Sequence, residues 1–375
     1  MSAFRAGHAS GTDWKDVMRA CLAQLGTDHG ADALGFLYVT DDLAAQLGPL
    51  LHGLRDGTGV GHWVGTVGLG VCASGIEYYD RPAAAALVAD FGPNQYRVIG
   101  AVDGERLHTP DDQPWRALGE RHLAVLHGDP RNAHLADVVA RLPQLVPGVF
   151  AVGGLSSSRH TYYQVADFLN EGQISGVMLA GDVPVTVGLS QGCTPIGPVR
   201  TITQAQRNIL VSIDGRPALE VFKEDIGEIL ARDLRRAAGY IFAALPVPGA
   251  EGRGGRGDYL VRNVIGVDTH NNLVGIGDQV ETGAPIMFAR RDAPAATEDL
   301  QAMLADVKAR LPGPPRAALY HTCLGRGRSL FGEGSVELGI VRDALGDIPL
   351  AGFYANGEIC GERLYGYTGV LTVFS

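Results

Sequence analysis

The sequence predicts an α+β protein in which two β-sheets pack together and helices flank them, an αββα-like layering with approximate two-fold internal symmetry. Three observations predict it. The order strand, helix, glycine-broken strand, turn, strand occurs in three separate stretches of the 375 residues, the mark of internally repeated units much longer than solenoid repeats. Hydrophobic residues make up 46% and charged residues 19%, which suits a large buried core. No GxGxxG opens a helix after a strand, so the dinucleotide fingerprint of a doubly wound sheet is missing.

The elements follow in order. "TDWKDVMRACLAQL" (12–25) starts on a capping Thr or Asp and spaces its apolar residues as a helix does. "ALGFLYVT" (33–40) is a strand, and "DDLAAQLGPLLHGL" (41–54) is a helix with two acids in its first turn, where the helix dipole favours them. "HWVGTVGLGVC" (62–72) is a glycine-laced strand, and "AAAALVADF" (83–91) is an apolar strand or a buried helix. The pattern returns as "HLAVLHGD" (122–129), "AHLADVVARLPQL" (133–145), "GVFAVGGLSSS" (148–158) and "QISGVMLAG" (173–181). It returns again as "RAALYHTCLG" (316–325), "GSVELGIVRDAL" (334–345), "LAGFYANGEICG" (350–361) and "YTGVLTVF" (367–374). Between the second and third stretches lie a strand, a "DG" turn and one or two helices in "ILVSIDGRPALEVFKEDIGEILARDLRRAAGYIFAAL". A mobile loop is expected at 247–259, then three short antiparallel strands joined by "HNN" and "TG" turns. The Pro- and Gly-containing segment 192–208 reads as a junction. The expected division is an N-terminal helical extension (1–32), a first domain (33–205) and a second (206–375).

Composition excludes several function classes. A net charge of −10 disfavours nucleic acid as a partner, because neutralising phosphates needs surplus Lys and Arg. No polybasic run suits a membrane surface and no apolar run is long enough to span one, so no membrane insertion is expected. Five unpatterned cysteines (Cys21, Cys72, Cys193, Cys323 and Cys360) read as free thiols of a reducing compartment, and the N-terminus lacks a signal peptide's apolar core. The expected location is the cytoplasm. No CxxC pair marks a structural metal site, and none is expected.

The phrases "GVFAVGGLSSS", "GLSQGCTPIGP", "RTITQAQRNILVSIDGRPAL", "CLGRGRSLFG" and "GFYANGEICGERLYGYTGVLTVF", in this order, resemble the FIST family, with its N-terminal and C-terminal FIST domains in tandem from about Ala33 to Phe374. The resemblance implies a bacterial signal-transduction protein that senses a small ligand, with amino acids proposed, and for some members haem-based sensing of nitric oxide. Nothing at either end of this sequence is left for an output domain, so the expected output is a separate protein such as a kinase or receptor.

Within that frame the ligand residues expected are Cys323, Gly325, Arg326, Gly327, Asn356, Gly357, Glu358 and Arg262. The glycines of "CLGRG" permit close backbone approach, and successive N–H groups before a helix make an anion nest. Arg326 then suits a carboxylate and Glu358 an amino group, together a zwitterion; if adjacent, the two instead form a structural salt bridge. No Lys follows the glycines as a nucleotide P-loop requires. Cys323, near arginines and a helix start, is expected to have a depressed pKa, with His321 two residues away on the same strand face. That leaves a cysteine-dependent enzyme as an alternative to pure binding. Arg262 and Asn263 interrupt an apolar strand and face either a pocket or solvent. Among His62, His122, His127, His134, His160, His270 and His321 there is no HExxH and no CxxCH, so a haem would be non-covalent, on one unassigned axial histidine.

Overall fold

The computed structural model describes residues 3–102, 107–108, 118–234, 240–247 and 259–375. Most of the loop expected at 247–259 lies outside the described residues. The chain forms two compact units: residues 1–190 with 297–375, and residues 191–296.

The larger unit runs as three passages with a similar order of elements. The first passage runs β1 (Phe4–Ser10), α1 (Trp14–Leu25), β2 (Ala33–Thr40), α2 (Leu47–Thr58), β3 (His62–Gly68), the hairpin β4 (Gly70–Ala73) and β5 (Ile76–Tyr79), and β6 (Ala83–Asp90). Asp13 caps α1 by accepting the Lys15 N–H, and Val17, Cys21 and Leu25 bury its apolar stripe. The second runs β7 (Tyr96–Val102), β8 (Leu107–His108), β9 (His122–Gly128), α3 (Leu135–Leu145), β10 (Val149–Leu155), the hairpin β11 (Gln164–Ala166) and β12 (Phe168–Asn170), and β13 (Ile174–Ala180). The third opens with β14 (Val185–Ser190) and is interrupted by the smaller unit.

That smaller unit contains β15 (Cys193–Gln206), β16 (Ile209–Ile213), β17 (Arg216–Pro217), α4 (Ala218–Ile226), β18 (Ile241–Pro246), β19 (Tyr259–Asp268), β20 (Leu273–Ile276) and β21 (Pro285–Arg291). The "DG" turn is there, with Asp214 and Gly215 both at positive φ. Strand order β15-β21-β18-β19-β20-β16 closes on itself because β16 also pairs with β15, which leaves the ring no open edge. Its core unites Ile202, Leu210, Ile241, Val274 and Phe288 with Leu219 and Phe222 of α4.

The third passage then resumes with α5 (Ala293–Arg310), β22 (Ala317–Cys323), a helical turn at Arg328–Phe331, α6 (Val336–Leu345), β23 (Leu350–Ala355), the hairpin β24 (Glu358–Cys360) and β25 (Arg363–Tyr365), and β26 (Gly369–Phe374).

In the larger unit β2–β3, β9–β10 and β22–β23 are parallel neighbours, each reached through helix. Each hairpin then leaves its own passage: β4 pairs with β23, β11 with β3 and β24 with β10. Three mixed sheets result, β1-β6-β2-β3-β11-β12, β25-β24-β10-β9-β13-β7-β8 and β14-β26-β22-β23-β4-β5. One apolar cluster draws on all three, including Phe36, Val125, Leu319 and Phe353. Separate clusters cover the other faces: α1 and α2 on the first sheet, α3 on the second, α5 and α6 on the third.

The α+β class stands, but the expected pair of sheets does not: three sheets share a central core, with a closed barrel as a separate unit. Residues 1–32 contribute an edge strand of the first sheet as well as a helix.

Candidate functional site

Register brings polar residues into the central core. Directly paired residues in a sheet share a face. The three sheets therefore present three matching inward rows: Gln164, Thr66, Tyr38, Ala85; Glu358, Gly154, His127, Ser175; and Val71, Phe353, His321, Val370. Tyr38, His127 and His321 occupy the same place in each row and converge. The Tyr38 hydroxyl lies 3.2 Å from His127 Nε2 and 3.1 Å from His321 Nε2, all three fully buried. Burial holds His127 well below the usual histidine range, with His321 a further cause, and pushes His321 down to about 3. Neutral imidazoles fit this arrangement: one accepts from the hydroxyl while the other donates to it.

The layer is polar beyond what it satisfies internally. His127 Nδ1, His321 Nδ1, Ser175 Oγ, Gln164 Oε1 and Glu358 Oε1 are buried with no hydrogen-bond partner among the described residues. Buried polar groups are almost always paired, so five leftover atoms in one layer make it the candidate site.

Beside this layer, β22 ends in the turn Cys323–Arg328. Every N–H from Leu324 to Arg328 already has an acceptor: Ala355 O (3.0 Å), Cys323 Sγ (3.4 Å), Cys323 O (2.8 Å), Glu337 Oε2 (2.8 Å) and Tyr79 Oη (3.4 Å). The anion nest expected here is thus filled by the chain's own groups. Gly327, at φ 52°, has room for no side chain: a Cβ would sit 1.8 Å from the Tyr79 hydroxyl. Arg326 is fully buried, and its Nε donates to Glu337 Oε1 at 2.8 Å, an oxygen that also accepts from the Tyr320 hydroxyl at 2.7 Å. A second guanidinium nitrogen donates to Ser190 Oγ at 3.2 Å.

Glu358 sits at the neighbouring bend. The two bends touch through Leu324 N to Ala355 O. Glu358 Oε2 accepts from the Thr368 N–H (3.1 Å) and hydroxyl (2.8 Å). Burial pushes its carboxyl up to about 8, against the opposing pull of the Thr368 hydrogen bonds and the Arg326 charge. The Cys323 thiol lies beside it, and burial, then the Glu358 charge, pushes that thiol up rather than down. The activated thiolate expected from neighbouring arginines is therefore overturned: desolvation outweighs Arg326, whose charge already faces Glu337. His321 serves Tyr38 through Nε2.

The sequence of these folded elements matches two family descriptions, the FIST N domain over residues 33–216 and the FIST C domain over residues 218–361. The chain belongs to the FIST family. FIST domains are associated with signal-transduction sensing. An uncharacterized protein of Mycobacterium tuberculosis (strain CDC 1551 / Oshkosh) is 32% identical over 362 residues, covering 92% of each chain. An uncharacterized protein of Mycobacterium bovis (strain ATCC BAA-935 / AF2122/97) is 35% identical over 239 residues, covering 61% of each.

In this FIST protein the predicted residues divide into groups. Cys323, Gly325, Arg326, Gly327 and Glu358 come together at the two touching bends, with Gly357 half-buried and Asn356 exposed beside them. Arg262 lies apart in the barrel, half-buried on β19, its Nε 2.7 Å from Asp278 Oδ2. The Tyr38, His127, Ser175 and Gln164 layer was not anticipated, although His127 and His321 share a place, near the end of a repeated strand, that aligning the repeats would have exposed. His127 and His321 do not fit a haem's axial position: their Nε2 atoms face Tyr38, and both rings pack against Phe353 at 6.0 and 5.6 Å between centroids. No helix among the described residues is long and apolar enough to cross a membrane.

Proposed function

We propose that this FIST protein is a cytoplasmic small-ligand sensor that performs no chemistry of its own, passing occupancy of its central polar layer to a separate output protein. The ligand is of amino-acid size and polarity. The observation that carries this reading is the set of five partnerless polar atoms in the buried layer, with Glu358 at its edge beside the Cys323 turn. Leaving such atoms unmet costs on the order of 1–3 kcal/mol apiece, a cost that a bound ligand's donors and acceptors remove. The free state of all five cysteines supports a reducing compartment. The threefold recurrence of topology supports descent from a repeated unit, with the barrel as an insertion.

Thermal-shift screening against amino acids and small carboxylates tests the reading. A ligand that binds only the native state raises the melting temperature with concentration. A broad panel in which no compound moves the transition would sink the sensor reading.

A further inference from the structure

We propose that Asn356 is a modification site: an asparagine that the fold leaves free to cyclise with the backbone of Gly357, so that an aspartate or isoaspartate arises there without an enzyme. Asn356–Gly357 is the one Asn-Gly pair in the 375 residues. The reaction needs the backbone nitrogen after the asparagine to reach the side-chain Cγ, and a glycine at that position puts no Cβ in the way. Three observations favour it at this bend. Asn356 is exposed, and its carboxamide has no hydrogen-bond partner among the described residues. The carboxamides of Asn94, Asn132, Asn170, Asn208 and Asn271, by contrast, are each engaged. The Gly357 N–H likewise meets no acceptor among the described residues, so the attacking nitrogen is not held elsewhere.

The third observation is where the bend is pinned. The Asn356 N–H donates to Leu155 O at 3.0 Å, and the Gly357 carbonyl accepts from the Leu155 N–H at 2.9 Å. The peptide between these two points is held by neither bond. A coupled rotation of Asn356 ψ and Gly357 φ turns that peptide while both anchors stay in place. Gly357, already at φ 126°, meets no side-chain penalty over that rotation. In the reaction the Gly357 nitrogen gives its proton to a solvent base as it bonds to Asn356 Cγ. The Cγ–Nδ2 bond breaks, and the nitrogen takes a proton from water and leaves as ammonia. Water then opens the cyclic imide. Cleavage at Cγ restores the ordinary backbone and leaves aspartate; cleavage at the main-chain carbonyl carbon leaves isoaspartate, with the chain running through the side-chain methylene. The net change consumes one water and releases one ammonia, with no oxidant or reductant. Either product sets a new carboxylate at the end of β23. Isoaspartate also lengthens the backbone between the two Leu155 anchors and so loosens β24 at its junction with β10.

The test is peptide mass mapping of the whole folded protein during incubation at physiological temperature and mildly alkaline pH, with fragmentation that separates aspartate from isoaspartate. The expected result is loss of the Asn356 amide on the order of tenfold faster than at any of the five engaged asparagines, with ammonia released in step and both products present. Amide exchange should then find the Leu155 N–H less protected in the isoaspartate form than in the unmodified protein. Asn356→Gln, whose longer side chain closes the ring less readily, is expected to keep its amide over the same period. Asn356 staying intact in the folded protein while converting in the urea-unfolded chain overturns the proposal, because the fold would then lock the bend. Conversion spread evenly over all the asparagines of the folded protein overturns it as well.

Discussion

Arg326 shows how burial reverses what a residue type suggests in a sequence. Between two glycines it looks like a ligand's anchor; in the fold its guanidinium is sealed against Glu337 and Ser190. Removing one partner strands the other's charge, so Arg326→Met is expected to destabilise by about 3–5 kcal/mol in urea unfolding. Arg326→Lys should rescue only part of this, because an ammonium cannot reproduce the guanidinium's forked geometry. Glu358 offers a pH test. Its carboxyl titrates near 4.5 when unfolded and at about 8 when folded. The folded state therefore binds the extra proton between those values, so this contribution to stability is full below pH 4.5 and lost as pH rises through 8. Glu358→Gln should flatten that decline, read as the difference between wild-type and variant urea midpoints at pH 5 and pH 8.5. Both residues were visible in the sequence as chemistry in search of a site. Which carboxylate Arg326 would meet was not, because Glu337 lies in the first turn of a helix, where an acidic residue ordinarily faces solvent, and nothing local signals that it is buried.

At the scale of elements, strands such as β2, β9 and β13 and helices α1, α3 and α6 were legible because those strands are largely apolar and those helices keep a 3.6-residue apolar period. Edge strand β1, with its small and polar "FRAGHAS", and helix α5 were not marked. The helix has a weak apolar stripe, although Leu300, Leu304 and Val307 are buried on it. Which hairpin joins which sheet was beyond reading, since no local signal encodes a partner in another passage. The turn after β22 is the element most sensitive to change. Gly327→Ala must accommodate a Cβ against two tyrosines, Tyr79 and Tyr354, at an unfavourable φ. A loss of about 1–3 kcal/mol is expected, with the Arg328 N–H to Tyr79 contact weakened, measurable as altered amide exchange at Arg328.

At the scale of the whole molecule, the barrel has its own closed ring of strands and its own core. Residues 191–296 expressed alone should fold, giving a β-rich circular dichroism spectrum and a single cooperative thermal transition; a featureless melt would show that the ring needs the rest of the chain. The "two packed sheets" expectation failed because the sequence shows repeats but not their exchange of hairpins, and three mutually completing sheets enclose a core that two layers would have shaped differently. That exchange has a temporal consequence. Hairpin β4–β5, made early, finds its partner strand only when β23 emerges, as the pairing of Cys72 with Gly352 records. A nascent chain must therefore keep that apolar ribbon unpaired through most of its synthesis, and truncation near the C-terminus should damage the sheet that the N-terminal passage helps to complete.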